Sequence, residues 1–322
     1  VILNWNVRKH LERFLPSVVE HTSGDAEVVV VDNGSSDDSL QWLRLKYPDV
    51  RTIVLDKNYG FAGGYNRALK QIESDYVLLL NSDVEVTAGW WQPLVEVLDR
   101  EKDVAVVAPK LLADSDHAMF EYAGASGGFI DYLGYPFCRG RILSKVERDE
   151  GQYDDRREIF WASGAALCCR RELFVELGGF DEDFFAHMEE VDLCWRLKSR
   201  GGEIYCVPQS EVYHVGGATL DKSNPRKTFL NFRNNLLMLR KNVPLLRLWW
   251  LMTVRFFLDY LAALQMLFTG QTANFRAVFQ ARRAYHTLKS QYPISKNNSH
   301  KHNPLIAKRS IVWDFYVRRK RS

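Results

Sequence analysis

No C-x-x-C pair occurs in this chain. Its five cysteines (Cys138, Cys168, Cys169, Cys194, Cys206) are odd in number and irregularly spaced. That argues against a zinc site and a disulfide framework, and for a reducing compartment. There is no internal repeat. A dinucleotide fingerprint is missing too, because Tyr59-Gly60-Phe61-Ala62-Gly63-Gly64 lacks the G-x-G-x-x-G spacing and an acid on a following strand. No nucleic-acid-binding module is recognisable. Nor is there a clean membrane span: Leu245 to Thr269 is apolar and aromatic but interrupted by Arg247, Arg255 and Asp259. Charges at a bilayer centre cost roughly 2.5–3.5 kcal/mol each. No Met opens the chain, which starts in the apolar run Val1-Ile2-Leu3, so a few residues are expected to precede it.

What is present describes a globular protein. With 322 residues, 46% hydrophobic and 26% charged, the chain can bury a sizeable core as one large α/β domain, alone or with an appendage. The charge is unevenly spread. From Arg240 onward 16 Lys/Arg face only Asp259 and Asp314, which is +14. The net of +3 then leaves −11 for the preceding part. A basic tail on an acidic body suits an anionic surface, either lipid headgroups or nucleic acid.

Strand and helix signals alternate through the first half. Strands are expected at Val1–Trp5, Glu27–Val31, Val50–Leu55, Tyr76–Leu80 and Val104–Pro109. Helices are expected at Arg8–Glu20, Leu40–Tyr47, Ala62–Glu73 and Trp90–Arg100. This order predicts a doubly wound, mostly parallel sheet. Residues 111–160, rich in Gly and aromatics, read as an excursion of loops and short strands over the site. A strand at Ala165–Cys169, a helix at Arg171–Leu177, a helix ending at Lys198 and a strand at Glu203–Val207 follow, with His214 on a turn.

Acidic and polar residues gather where strands should end, and ligands of open α/β sheets bind beyond those ends. The buried run Tyr76-Val77-Leu78-Leu79-Leu80 stops at Asn81-Ser82-Asp83, where a carboxylate can reach a divalent cation. Asp32-Asn33-Gly34-Ser35 offers a carboxylate for a ribose hydroxyl or base N–H, and equally fits an Asx-capped βα turn. Glu189, Glu190 and Asp192 place three acids within four residues. They cap a helix favourably, or crowd so that one has a raised pKa and serves as a general base. His214 can supply imidazole to the metal of Asp83.

In this order the residues resemble the family 2 glycosyltransferases of the GT-A fold. The match runs from residue 1 to about 240. It comprises Val1-Ile2-Leu3-Asn4-Trp5-Asn6, Asp32-Asn33-Gly34-Ser35, Asn58-Tyr59-Gly60-Phe61-Ala62-Gly63-Gly64-Tyr65-Asn66 and Leu80-Asn81-Ser82-Asp83. Gly178-Gly179-Phe180-Asp181-Glu182-Asp183-Phe184-Phe185, Glu189-Glu190-Val191-Asp192-Leu193 and His214 complete it. The nearest likeness is to bacterial rhamnosyltransferase-like and galactofuranosyltransferase-like enzymes. The resemblance implies an α/β, Rossmann-like GT-A domain over 1–240, with a basic, amphipathic helical extension over 241–322. It implies inverting transfer from a nucleoside-diphosphate sugar, dTDP- or UDP-linked with dTDP-rhamnose as one option. The acceptor would be a glycan or a polyprenyl-diphosphate-linked sugar of cell-surface polysaccharide synthesis. Asn4, Asp32, Asn58, Gly63, Asn66 and Ser82 would contact the donor nucleotide. Asp83 and His214 would hold Mg²⁺ or Mn²⁺, Glu190 would be the base, and Glu189 and Asp192 would be further acids of the site. Two departures stand out. Asn81 replaces the first acid of the family's D-x-D motif, and Glu190 replaces a common Asp.

At about 100° per residue, Arg247, Arg255, Asp259 and Gln265 share one arc of the 245–269 helix. Trp249, Trp250, Phe256, Phe257, Leu264 and Phe268 occupy the rest. Such a helix suits an anionic membrane interface, helped by Arg318-Arg319-Lys320-Arg321. Packing on the protein's own core or on a second copy, as in a homodimer, is the alternative. The expected location is cytoplasmic, peripheral at the inner face of the plasma membrane, with no nucleic acid as partner. Two rivals remain open at this point. A nucleotidyltransferase would want a Gly/Arg/Lys-rich loop after the first strand, where Asn4-Trp5-Asn6 stands. A nucleic-acid-binding protein would rely on the basic tail alone.

Overall fold

The computed structural model describes residues 1–216, 224–294 and 305–318; Gly217 and Arg319-Lys320-Arg321 lie outside the described residues. The first half contains β1 (Ile2–Asn4), α1 (Arg8–His21), β2 (Val29–Asp32), α2 (Ser39–Lys46), β3 (Arg51–Val54), α3 (Gly60–Leu69) and β4 (Tyr76–Asn81). Next come β5 (Val84–Val86), α4 (Gln92–Arg100), β6 (Val104–Ala113) and β7 (Asp116–Phe120). Short strands follow: β8 (Gly128–Asp131), β9 (Pro136–Cys138), β10 (Arg141–Ile142), β11 (Lys145–Val146) and β12 (Arg157–Glu158). The remainder is β13 (Ala166–Arg170), α5 (Arg171–Glu176), α6 (Glu189–Lys198), β14 (Glu203–His214), α7 (Pro225–Asn242), α8 (Leu245–Phe268), α9 (Thr272–Leu288), β15 (Ile306–Ala307) and α10 (Ile311–Tyr316).

The continuous apolar runs form the centre of a ten-stranded sheet, as expected for strands covered on both faces. β2 is buried throughout, and β6 everywhere but at its last residue. The order is β12-β14-β6-β13-β4-β1-β2-β3. β3, β2, β1 and β4 are mutually parallel, β13 runs antiparallel between β4 and β6, and β14 returns parallel to β6. Pairing in register sets Asn4 beside Asp32 and Leu3 beside Asn81, so the ends of β1, β2 and β4 share one edge. Helices cover the sheet through apolar stripes, such as Leu11, Phe14, Leu15 and Val18 of α1 at i, i+3, i+4, i+7.

Two strands outrun their sequence signals. β6 continues past Pro109 to Ala113, and β14 continues past Val207 to His214. At that point Val207 pairs with Pro109 and Glu211 with Lys110, so residues 208–210 bulge out. Pro is tolerated in a sheet interior at such irregularities. Beyond the bulge β14 takes up β5, with His214 opposite Val84. His214 is therefore at a strand end, not on a turn. The excursion forms a second, five-stranded sheet in the order β11-β10-β9-β8-β15.

The boundary expected at 240 lies within the last turn of α7. α8 inverts ordinary amphipathicity: Leu248, Leu251, Arg255, Asp259 and Ala263 are buried, while Trp249, Phe257 and Phe268 are 73%, 67% and 85% exposed. The inward charges are satisfied. Asp259 accepts from Arg255 Nε (3.2 Å) and Arg282 Nη1 of α9 (2.6 Å), and Arg255 Nη1 donates to Asn235 Oδ1 of α7 (2.5 Å). Arg247 Nη2 donates to the Tyr132 carbonyl (3.0 Å). By length and composition α8 is, among the described residues, the one helix able to cross a membrane.

Candidate active site

The bulge in β14 builds one half of the site. It carries His214 alongside β5, which starts immediately after Asn81-Ser82-Asp83. Val215 N donates to the Asp83 carbonyl (3.1 Å), and His214 Nε2 stands 3.2 Å from Asp83 Oδ1. Asn81 Nδ2 is 3.3 Å from the same Nε2. On the other side of the ring, Nδ1 faces Glu121 Oε1 at 3.5 Å. Asp83, Glu121 and His214 are all buried. Burial pushes Asp83 up, but the hydrogen bond and charge of His214 reverse this and leave it below the usual carboxylate range. Burial pushes His214 down, yet Asp83 and Glu121 raise it to about 10. A Cβ on Gly216 (φ +70°) would stand 2.6 Å from Glu121 Oε1, so only glycine lets the chain pass so close.

The second half is the start of α6. Glu189 is buried, and Glu189 Oε2 and Glu190 Oε2 are buried without a hydrogen-bond partner among the described residues. Burial pushes Glu189 well above its ordinary value, with the charge of Glu190 adding to the rise. Burial lifts Glu190 to about 7, against opposing backbone N–H groups. Asp192 is placed differently. Its carboxylate accepts from Arg196 Nε (2.8 Å), Lys241 Nζ (2.8 Å) and Asn242 Nδ2 (2.9 Å), and thereby ties α6 to α7. Burial raises it, and the two cations pull it below the normal range.

The backbone entering α6 is strained. Phe185, His187 and Met188 have φ of 64°, 71° and 73°, and Ala186 N closes a three-residue turn on the Phe184 carbonyl (2.7 Å). Two adjacent side chains of α7 hold this loop. Arg233 Nη2 donates to the carbonyls of Asp183 (2.6 Å) and Phe184 (3.2 Å). Asn234 Nδ2, fully buried on α7, lies 2.9, 2.9 and 2.8 Å from the carbonyls of Phe184, Ala186 and His187. The Phe185 carbonyl in turn accepts from Phe61 N (2.7 Å) at the start of α3. Gly60 (φ +72°) is needed there, because a Cβ would meet that oxygen at 2.6 Å.

Of the nucleotide-binding candidates, Asn4 and Asp32 lie together at the parallel edge. Asn4 Nδ2 donates to Asp32 Oδ1 (2.8 Å), and Ser35 N donates to Asp32 Oδ2 (3.1 Å). Asn58 Oδ1 accepts from Gly60 N (2.7 Å) and shapes the glycine loop together with Asn33. Asn66 is engaged by Phe180, donating to its carbonyl (2.8 Å) and accepting from its N–H (2.9 Å), so it anchors the 178–182 turn. Gly63 packs against Tyr59 and Arg67. Ser82 sits half-buried in the Asn81–Asp83 turn.

Cys138 of the small sheet feels the charge of both halves. Burial pushes that thiol up, Arg141 pulls it down, and both Glu121 and Glu190 add to the rise. Gly164 supplies a second link: a Cβ there would be 3.9 Å from Glu190 Cβ, and the next residue, Ala165, accepts from Asn81 N (2.9 Å). Another acidic trio, Asp149, Asp154 and Glu211, surrounds Lys110 Nζ at 2.9, 2.6 and 2.8 Å. Lysine already fills the place of a cation there. Glu121, Arg141 and Asn234 escaped the sequence reading. Glu121 follows a strand in a weakly periodic stretch, and Asn234 looks like any polar residue of a helix.

Asp83 and His214 fit a divalent cation by chemistry, the cation taking the place of the proton that the two acids hold on the imidazole. One carboxylate oxygen and one imidazole nitrogen point at each other, with the Asn81 amide adjacent, and such O/N donors suit Mg²⁺ or Mn²⁺. The comparisons with known proteins agree with this architecture. The model of glycosyl transferase family 2 matches residues 1–176. N-acetylglucosaminyl-diphospho-decaprenol L-rhamnosyltransferase of Mycobacterium tuberculosis is 32% identical over 230 residues, 66% of this chain and 74% of that protein. The structure of GalNAc-T7 with UDP, GalNAc and Mn²⁺ superposes with a TM-score of 0.57 at 18% identity, over 74% of this chain and 47% of that one. S. aureus TarS 1-349 in complex with UDP-GlcNAc gives 0.56 at 15% identity, over 91% and 82%. At such identities the structural likeness speaks for the fold.

Proposed function

The chain belongs to glycosyl transferase family 2 and is a glycosyltransferase of GT-A fold, and on that premise we propose an inverting, metal-dependent transfer from a nucleoside-diphosphate sugar to a polyprenyl-diphosphate-linked acceptor. The observation that carries this reading is the pairing of a metal-type donor set, Asp83 with His214, and a buried carboxylate raised to about 7, Glu190, linked through Gly164 and Ala165 to the Asn81–Asp83 turn. Bound Mg²⁺ or Mn²⁺ would offset the charge developing on the departing diphosphate. Asp83 and His214 hold that position. Glu190 takes the proton from the acceptor hydroxyl; with its pKa near 7, it is ionised enough to accept and basic enough to drive transfer. Glu189 is buried beside it, and the charge of Glu190 adds to the rise of the Glu189 carboxyl. Asn4, Asp32, Asn58 and Ser82 line the edge on the nucleotide side, while Gly63 and Asn66 support it from α3.

The relative's name supports a lipid-linked acceptor, and its rhamnosyl group supports dTDP-rhamnose as donor, with UDP-sugars as the alternative. We place residues 241–322 as a membrane-docking extension, with the enzyme peripheral at the cytoplasmic face. The outward aromatic face of α8 supports an interfacial position, and its inward charges are engaged by α7 and α9. Family membership leaves nucleotidyl transfer without support.

Asp83→Ala tests the metal assignment. The variant should keep its fold and lose transfer together with Mn²⁺ binding, measured by titration. Unchanged turnover removes the assignment.

A further inference from the structure

Four lysine and arginine side chains are buried among the described residues: Lys110, Arg141, Arg255 and Arg282. Three have carboxylates. Lys110 has Asp149, Asp154 and Glu211, while Arg255 and Arg282 share Asp259. Arg141, only 7% exposed, has no carboxylate within ion-pair distance among the described residues. Its Nη2 donates to Cys138 Sγ (3.3 Å), its guanidinium lies 4.8 Å from the Tyr122 ring centroid, and its Nε is buried without a partner. A buried charge without a counterion is costly, so the cost points to a partner that arrives from outside.

The position says where that partner would be. β10 pairs Arg141 with Cys138 of β9 and Val146 of β11, so the guanidinium is carried on sheet rather than loop. Cys138 is the thiol on which Glu121, beside His214, and Glu190 both act. The guanidinium faces the ring of Tyr122, the residue directly after Glu121, whose carboxylate stands 3.5 Å from His214 Nδ1, so Arg141 lies beside the metal-type pair in a region dominated by acids. A planar guanidinium with free N–H donors matches phosphate oxygens in two-point contact.

We propose that Arg141 is a phosphate-binding residue of this site, receiving a phosphate oxygen of a diphosphate as substrates assemble. The inference deepens the transferase reading and rests on it for the source of the phosphate. Two sources share this chemistry, the donor's diphosphate and the acceptor's.

The test uses the full chain and the variants R141Q and R141K, titrated calorimetrically with inorganic pyrophosphate in the absence of divalent metal. R141Q should bind pyrophosphate at least about tenfold more weakly than wild type, the scale of a lost charged hydrogen bond, and R141K should recover part of it. Because the guanidinium has no protein counterion, R141Q should melt no lower than wild type, and pyrophosphate should raise the melting temperature of wild type alone. Titration with UDP and dTDP in the presence of Mn²⁺ then separates the sources. Weaker nucleotide binding by R141Q assigns the donor's phosphate. Unchanged nucleotide binding with a raised KM for polyprenyl-diphosphate-linked GlcNAc assigns the acceptor's. Equal pyrophosphate affinity in R141Q and wild type overturns the proposal, as does a large fall in melting temperature without ligand. Arg141-dependent pyrophosphate binding without any sugar transfer would keep the phosphate site and remove the transferase reading. Normal transfer with indifferent R141Q would do the opposite.

Discussion

Replacing Glu190 by Gln probes burial and chemistry in one variant. The carboxyl rises from an ordinary 4.5 to about 7 because it is buried at the start of α6. A native-state pKa above the unfolded value means that the fold binds the proton more tightly. Stability associated with Glu190 is then fully present below pH 4.5 and is lost as pH rises to 7. Above that the ionised group costs the fold roughly 3 kcal/mol. Gln keeps the size of the protonated acid and removes the charge. E190Q should therefore be more stable than wild type at pH 8, by up to about 3 kcal/mol, and equal to it near pH 4.5. Urea unfolding at the two pH values measures this. The same substitution removes the base, so turnover should fall by about 10²–10⁴ while donor affinity holds. Wild-type kcat should climb along a limb centred near pH 7. Normal turnover in E190Q, or a stability difference independent of pH, refutes the reasoning.

Asn234 should act as a positioning residue. N234A frees the Ala186 and His187 carbonyls of a loop whose positive-φ residues cost about 1–3 kcal/mol each unless held. A displaced Glu190 should lower kcat by about 10²-fold, move the ascending pH limb away from 7 and leave donor KM nearly unchanged. A rise in KM with an unmoved limb contradicts that role. For α8, the double variant W249S/F257S should lose co-sedimentation with vesicles of anionic phospholipid while transfer to a soluble acceptor continues. Retained vesicle binding refutes the docking face, and loss of a concentration-dependent dimer in the same variant identifies a second copy as its partner instead.

Much of the sheet was legible because strands covered on both faces must be apolar throughout. Val29–Asp32 and Tyr76–Asn81 lie where their runs of Val and Leu predict, and each ends in the polar residues seen in the sequence. β5 and the continuation of β14 were not legible. Val84–Val86 is too short for a period, and Pro208-Gln209-Ser210 reads as the end of a strand when it is a bulge within one. Of the arc of Arg247, Arg255, Asp259 and Gln265 read on α8 from helical periodicity, the three charged residues do share the inward face, whereas Gln265 is exposed. The direction of that arc was not legible, because periodicity says which residues share a face and nothing about which face turns inward. Here the charges turn inward, since Asn235, Leu133, Tyr132 and Arg282 offer them partners.

By itself the sequence determined the class of chain and the inventory of its chemistry: a wound α/β sheet, an acid after β4, paired glutamates before a helix and a histidine downstream. Local pattern and residue type suffice for that, because both are carried by neighbours along the chain. Only the tertiary structure decided which of these act together. Asp83 meets His214 through a bulge at residues 208–210, far along the chain, Glu121 arrives opposite them from a hairpin, and Asp192 turns from the pair beside it to Lys241 and Arg196. Arg141 is left with its charge uncompensated. Those outcomes depend on contacts distant in sequence and on the competition of each buried charge for a partner, and neither is written in any short stretch of residues.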